Sequence, residues 1–316
     1  MVMSLRIIFF GTPKFAISTL EKLIESEYEI IAIVTQPDRQ KGRGQKFLNT
    51  PVKDLALKKN LLLLQPDALN EPNFITELSR LKPDIGVVAA YGKLIPDNVL
   101  LKPRLGMINL HASLLPKYRG ASPVHRAVMA GEQSTGVTIM RIARKLDSGN
   151  ILAKSERSIG INETSAEVEQ DLSIIGSKLI LSVLRDIVAG ISIETVQDHS
   201  QATYAPRLTK TDGLIDWSSD ANAIHNQVRG LHPWPHAYTF INHKRVIVLS
   251  TSIDTGKNDT SPGTILSTNQ AGIEVAAKNG SVVFLKKLQP ENKRAMNAKD
   301  FLAGHPTQPG MVIGIP

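Results

Sequence analysis

An asparagine and a histidine stand two residues apart at the end of an apolar run, in the stretch INLHASLLPKYRG that spans residues 108–120. On an extended segment, that spacing sends the Asn109 and His111 side chains to the same side. A carboxamide can donate N–H to an oxygen that gains negative charge, and an imidazole can accept or relay a proton near neutral pH. A carboxylate is the usual partner that orients such a histidine. The candidate is Asp147 in KLDSGN, which follows a strand-like run over residues 136–142. Each residue also has a structural reading: a strand-end histidine satisfied within a core, and an aspartate closing an Asx turn before Ser-Gly. Spacing alone leaves both readings open.

Other chemistries find less support. The sequence has no cysteine, so thiolate nucleophiles, thiolate metal sites and disulfides are excluded. The remaining histidines (125, 199, 225, 232, 236, 243 and 305) show no H-E-x-x-H spacing, and Ser113 lies outside any G-x-S-x-G elbow. No metal is expected. The first turn, FFGTPKFA, carries only Gly11 where a dinucleotide site wants three spaced glycines. It reads better as a substrate-lining turn at a strand's carboxyl end.

Residues 39–53, RQKGRGQKFLNTPVK, hold five basic side chains and no acidic one: Arg39, Lys41, Arg43, Lys46 and Lys53. Two glycines flank Arg43. A charge run is commonly a solvated loop, but this one directly follows a strand-like run. In open α/β sheets the ligand crevice lies at the carboxyl ends of the strands. A flexible basic loop there is suited to gripping phosphates.

Positioning these groups requires strands with ordered ends. Near-continuous apolar runs at 5–10, 30–34, 85–90 and 107–110 alternate with helical patterns at 15–24, 52–59 and 73–81. That alternation predicts a mostly parallel sheet covered on both faces. Residues 164–188 predict one long amphipathic helix ending at Gly190. Beyond an irregular stretch, short strand-like pieces at 238–241, 245–249, 263–266, 272–276 and 281–285 alternate with turn residues, predicting a small barrel or sandwich.

At 316 residues the chain suits two domains, and 42% hydrophobic with 21% charged residues describe a globular protein. No apolar run approaches the length of a membrane-spanning helix, and the N-terminal run is too short for a signal peptide. A net charge of +8 accords with a polyanionic partner, or with a mildly basic enzyme that has none.

FFGTPKFA, VTQPDRQKGRGQK, VVAAYGKLIP, INLHASLLPKYRGASP, GVTIM, LDSG, IDW and HPWP occur in this order between residues 6 and 235. In these motifs the chain resembles the methionyl-tRNA formyltransferase family. N-x-H-x-S-L-L-P with a later Asp-x-Gly is shared with other 10-formyltetrahydrofolate enzymes; QPDR…GRG and HPWP narrow the likeness to the tRNA-specific branch. The resemblance implies a Rossmann-like catalytic domain over residues 1–189, a linker over 190–208 and an OB-like β-barrel domain that binds tRNA over 209–316. It implies formyl transfer from 10-formyltetrahydrofolate, as co-substrate, to the α-amine of methionyl initiator tRNA in the cytoplasm, by a monomer with no membrane association. Asn109, His111 and Asp147 match the catalytic trio, in which Asp147 holds His111 and favours its charged form. Ser113, Leu114, Leu115 and Pro116 match the folate-contacting segment, with Tyr91, Leu94 and Ile95 lining the pterin pocket. Arg39, Lys41, Arg43 and Lys46 match the tRNA-engaging loop, Pro13 and Phe15 the methionyl pocket. Lys286, Lys287, Lys293 and Arg294 are candidates for a basic face of the C-terminal domain. Two positions depart from the family pattern: Lys145, where Gly is common, and Asn150, where Asp is usual.

Two rivals remain at this level. A folate-dependent formyltransferase acting on a small amine, such as a nucleotide sugar or glycinamide ribonucleotide, predicts no large basic loop and a different second domain. An RNA-binding module that merely keeps the fold does not require an intact Asn109, His111 and Asp147.

Overall fold

The computed structural model describes residues 4–41, 46–254 and 258–314. In chain order the elements are β1 (Arg6–Gly11), α1 (Phe15–Ile24), β2 (Glu29–Val34), β3 (Arg39–Lys41), β4 (Lys46–Leu48), α2 (Pro51–Lys58), β5 (Leu63–Leu64), α3 (Pro72–Leu81), β6 (Ile85–Ala89), α4 (Asp97–Leu100) and β7 (Met107–His111). There follow β8 (Arg119–Gly120), α5 (Pro123–Met129), β9 (Ser134–Arg141), β10 (Ile151–Ser158), α6 (Ser165–Ala189) and β11 (Tyr204–Ala205). The C-terminal part holds α7 (Ala221–Gly230), β12 (Ala237–Ile241), β13 (Lys244–Asp254), β14 (Ile265–Asn269), β15 (Gly272–Ala276), β16 (Val282–Pro290), β17 (Met296–Asn297) and α8 (Ala298–Gly304).

Two compact units result. The first comprises the described residues up to Ala121 with Gly136–Arg157 and Glu169–Ala205; the second comprises Ser122–Thr135, Ser158–Val168 and the described residues from Pro206 onward. Where the sequence suggests a linker over residues 190–208, residues 190–205 pack within the first unit.

The first unit is built on a seven-stranded sheet of order β10-β9-β7-β6-β1-β2-β5. β5, β2, β1, β6 and β7 run parallel, whereas β9 runs antiparallel to β7. β1, β6 and β7 are buried along nearly their whole length because both faces are covered, which explains why their apolar residues read as runs instead of alternations. α1 buries Phe15, Ala16, Leu20 and Leu23. α2 starts where the Thr50 hydroxyl accepts the Lys53 N–H and Pro51 occupies the first turn. One sheet face packs Ile8, Phe10, Val34, Phe74, Leu78 and Tyr91 together. Sequential strands go outward from β1 on one side through β2 and on the other through β6, so a topological switch point lies between β1 and β6.

The second unit contains an antiparallel sheet of order β12-β13-β16-β15-β14, with β17 added on β16. Among the described residues β12 and β14 do not pair, so the sheet is not a closed barrel, though its antiparallel architecture agrees with the expected OB-like domain. Its core includes Trp217, Ile224, Val246, Val275, Leu285 and Phe301. The indole N–H of Trp217, in the IDW motif, donates to Thr239 Oγ1 at 3.0 Å.

Candidate active site

β7 carries the two residues that opened the sequence reading. Asn109 pairs in register with Val88 of β6 and Met140 of β9; His111 lies opposite Thr138 of β9. Both therefore sit at the carboxyl end of β7, beside the switch point, with their side chains on one face. Asn109 is half-buried and His111 is buried.

The turn after β9 brings the carboxylate. Asp147 Oδ2 lies 3.7 Å from His111 Nδ1 and accepts a 2.8 Å hydrogen bond from the Gly120 N–H. On the other side of the ring, His111 Nε2 is 2.9 Å from the Tyr118 carbonyl. A carbonyl only accepts, so Nε2 carries hydrogen and Nδ1 faces the carboxylate. Asp147 adopts a positive φ of 48°, uncommon for any residue but glycine. Two residues on, the chain approaches β9 so closely that a Cβ on Gly149 would lie 1.8 Å from the Arg141 carbonyl oxygen.

The SLLP segment is held from beneath by β9. Thr138 Oγ1 donates to the Ser113 carbonyl at 2.7 Å and accepts the Leu115 N–H at 3.1 Å. Ser113 Oγ donates to the Lys117 carbonyl at 2.7 Å, and the Lys154 ammonium reaches the Leu115 carbonyl. Ser113 and Leu115 are fully buried, so their side chains shape the turn; Leu114 and Pro116 keep partial exposure. Across the switch point, the Thr12 hydroxyl and the Gln36 amide both donate to the Tyr91 carbonyl, at 3.0 and 2.7 Å. The Tyr91 ring is buried edge-on against Phe10, its hydroxyl has no hydrogen-bond partner among the described residues, and burial pushes the pKa of that hydroxyl up to about 12. Leu94 is 78% exposed, Ile95 packs partly on the core, and Pro13 is exposed while Phe15 is buried in α1.

Of the basic residues over 39–53, Arg43 lies outside the described residues, as do the side chains of Lys41 and Lys46. β3 and β4 pair antiparallel, Arg39 opposite Leu48, and form the described stem. Arg39 is exposed and donates to Gln36 Oε1 at 3.1 Å. Lys53 is committed to a salt bridge with Asp38, and its hydrogen bond holds the Asp38 carboxyl below the usual range. Lys286, Lys287, Lys293 and Arg294 are all exposed on β16 and the turn that follows it.

Several site residues escape sequence reading. Arg119 and Gln197 are 5% and 3% exposed and are joined side chain to side chain beneath the Asp147 turn. Arg119 is visible in the sequence only as part of a basic turn, and Gln197 only as a polar residue in an irregular stretch. The departures at 145 and 150 differ in kind. Lys145 is exposed. The Asn150 amide donates to Glu194 Oε2 at 3.1 Å, where an aspartate would oppose one carboxylate with another. Burial pulls the Glu194 carboxyl upward, but hydrogen bonds from Arg141 and Asn150 bring it below its ordinary value.

The mixed sheet thus gathers an Asn, a His and a carboxylate at the end of one central strand. The formyl transferase family matches residues 5–184, and the formyl transferase C-terminal domain matches residues 207–306. The chain is 42% identical over 311 residues to a methionyl-tRNA formyltransferase of Acetivibrio thermocellus, covering 98% of this chain and 100% of that protein. It is 44% identical to that of Citrifermentans bemidjiense (98% and 96% covered) and 38% identical to that of Bacillus subtilis (98% of each). The chain belongs to the methionyl-tRNA formyltransferase family. Its fold is also shared with the sugar 3N-formyl transferase WlaRD, at TM-score 0.68 and 18% identity with 92% and 99% covered. HypX from Aquifex aeolicus in complex with tetrahydrofolic acid superposes at TM-score 0.64 and 17% identity, covering 95% of this chain and 47% of that one.

Proposed function

We propose that this chain transfers the formyl group of 10-formyltetrahydrofolate to the α-amine of methionine carried by initiator tRNA, giving N-formylmethionyl-tRNA. The observation that carries the reading is the approach of Asp147 to His111 Nδ1 at 3.7 Å, on the strand that also presents Asn109. The folate supplies an N-formyl group whose carbon is the electrophile. As the methionyl amine bonds to that carbon, negative charge gathers on the formyl oxygen. Asn109 and His111 supply the N–H groups that meet it, and Asp147 stabilises the imidazole that donates. The bond to the folate nitrogen then breaks, and the net proton movement is from the acceptor nitrogen to that leaving nitrogen. No enzyme nucleophile is required.

The folate is held against Leu114 and Pro116, with the exposed Leu94 and neighbouring Ile95 giving the apolar wall its ring system needs; Tyr91, Ser113 and Leu115 support that wall from the core. Pro13 and Phe15 border the methionyl group. Arg39, Lys41, Arg43 and Lys46 meet the acceptor-arm phosphates, and residues 209–316 form the tRNA-binding domain that extends that contact with Lys286, Lys287, Lys293 and Arg294. The enzyme works as a cytoplasmic monomer. No helix among the described residues is long and apolar enough to cross a membrane, and no cluster of three potential metal ligands occurs among them.

Incubation with 10-formyltetrahydrofolate and Met-charged initiator or elongator tRNA tests the proposal. Formylation of the initiator species is expected, with the elongator species disfavoured. Formylation of neither, together with turnover of a small amine, would instead support the nucleotide-sugar type of acceptor.

A further inference from the structure

The Asp147 turn is held by the irregular segment around residues 195–205. Thr195 pairs with Ile151 through two backbone hydrogen bonds of 2.8 Å, and β11 pairs in parallel with β8, the Thr203 carbonyl accepting the Arg119 N–H at 2.8 Å. Stitched at both ends, the stretch between directs one side chain inward. Gln197 Nε2 donates to the carbonyl of Asp147 at 2.9 Å and to that of Gly149 at 2.8 Å. Its Oε1 accepts from Arg119 Nη2 at 2.6 Å and Nε at 3.2 Å. Arg119 Nη2 also lies 2.9 Å from His199 Nδ1.

We propose that Gln197 is a positioning residue for the reaction: its carboxamide clamps the two carbonyls of the Asp147 turn and so keeps Oδ2 aimed at His111. The inference rests on the reading of Asp147 and His111 given above. The chemistry demands an amide. Arg119 fixes which end of the carboxamide is oxygen, and both amide hydrogens are then spent on the turn. A glutamate would keep the Arg119 contacts but set a carboxylate against two carbonyl oxygens. The clamp is needed because Asp147 sits at φ 48°, a conformation that persists only where the surroundings over-determine it. A 1 Å drift of the carboxylate is enough to matter for turnover.

Q197E and Q197M, D147N, and the double variant Q197E/D147N separate the outcomes. Q197E is expected to lower kcat for Met-charged initiator tRNA by roughly 10²-fold, with KM for tRNA and folate within about twofold of wild type. In the D147N background the added loss should shrink to about twofold, because Gln197 acts through the carboxylate already removed. Exchange of the Gly120 amide hydrogen, whose acceptor is Asp147 Oδ2, should quicken about tenfold in Q197E. Q197M, neutral and of similar length, repeats the tests should the glutamate fail to fold. Wild-type kcat and Gly120 exchange in a folded variant overturn the proposal. So does a full 10²-fold loss added on top of D147N, which marks a general structural role. Wild-type turnover by D147N itself overturns the reading of the site, and the positioning role with it.

Discussion

Nδ1 of His111 stands 3.7 Å from Oδ2 of Asp147, and that oxygen is itself bonded at 2.8 Å to the Gly120 N–H, two residues past the Tyr118 carbonyl that holds Nε2. One short turn therefore fixes both the ring and its carboxylate. The separation exceeds a hydrogen bond, so the carboxylate acts on the ring through its field and leaves Nδ1 uncommitted to a direct bond.

Asn109→Ala should lower kcat by ~10²–10³-fold, the usual cost of one oxyanion donor. The residue is half-buried at a strand end, so tRNA affinity and thermal midpoint should stay near wild type. Single-turnover formylation beside filter binding checks this; lost affinity with normal turnover would contradict the role.

Gly149→Ala should disrupt the turn that delivers Asp147. An added Cβ would sit 1.8 Å from the Arg141 carbonyl oxygen, and main chain cannot step aside as a side-chain tip can. A cost of about 2–3 kcal/mol follows, read as a fall of about 5–10 °C in thermal midpoint together with loss of turnover. A wild-type midpoint would show that the backbone relaxes.

The central strands were legible because their burial on both faces leaves continuous apolar runs: residues 85–90 and 107–110 correspond to β6 and β7. The predicted helix over 164–188 is α6, Ser165–Ala189, closed by Gly190 at φ 70°. β10 was not foreseen, since Ile151–Ser158 sets Lys154, Glu156 and Ser158 on its open side and even its covered side carries the charged Arg157. α5 and α7 were hidden too: α5 spans only seven residues, and α7 buries His225 and Arg229, polar residues that periodicity counts as surface. Asn109, His111 and Asp147 were legible only through motif. Arg119 and Gln197 were not, because a buried polar pair 78 residues apart leaves no local pattern.

Arg39→Ala and Lys53→Met should separate phosphate contact from loop anchoring. Arg39 is exposed, so its loss should reduce the slope of log kcat/KM against log salt by about 0.7–0.9. Lys53 already neutralises Asp38, so Lys53→Met should leave that slope unchanged. A salt series with Met-charged initiator tRNA distinguishes them, and equal slopes for wild type and Arg39→Ala would remove Arg39 from the contact.

Stability should decline as pH falls from 7.5 to 5.5, through histidines of the second unit. Burial holds His225, His125 and His236 below the ordinary imidazole value, with nearby positive charge adding to the effect. His225 is buried between Thr251 Oγ1 at 2.8 Å and the Ile161 carbonyl at 3.0 Å, so its ring is satisfied as the neutral Nε2–H tautomer. The unfolded chain takes up protons near pH 6.5 that the folded chain refuses. The contribution is therefore complete above that value and is lost as pH drops toward the lower folded-state values, by up to about 1.4 kcal/mol per pH unit for each histidine. Urea midpoints at pH 7.5 and 5.5 should differ in wild type and differ less in His225→Gln. Coincident wild-type midpoints would exclude the effect, and an undiminished difference in the variant would assign it to His125 and His236 instead.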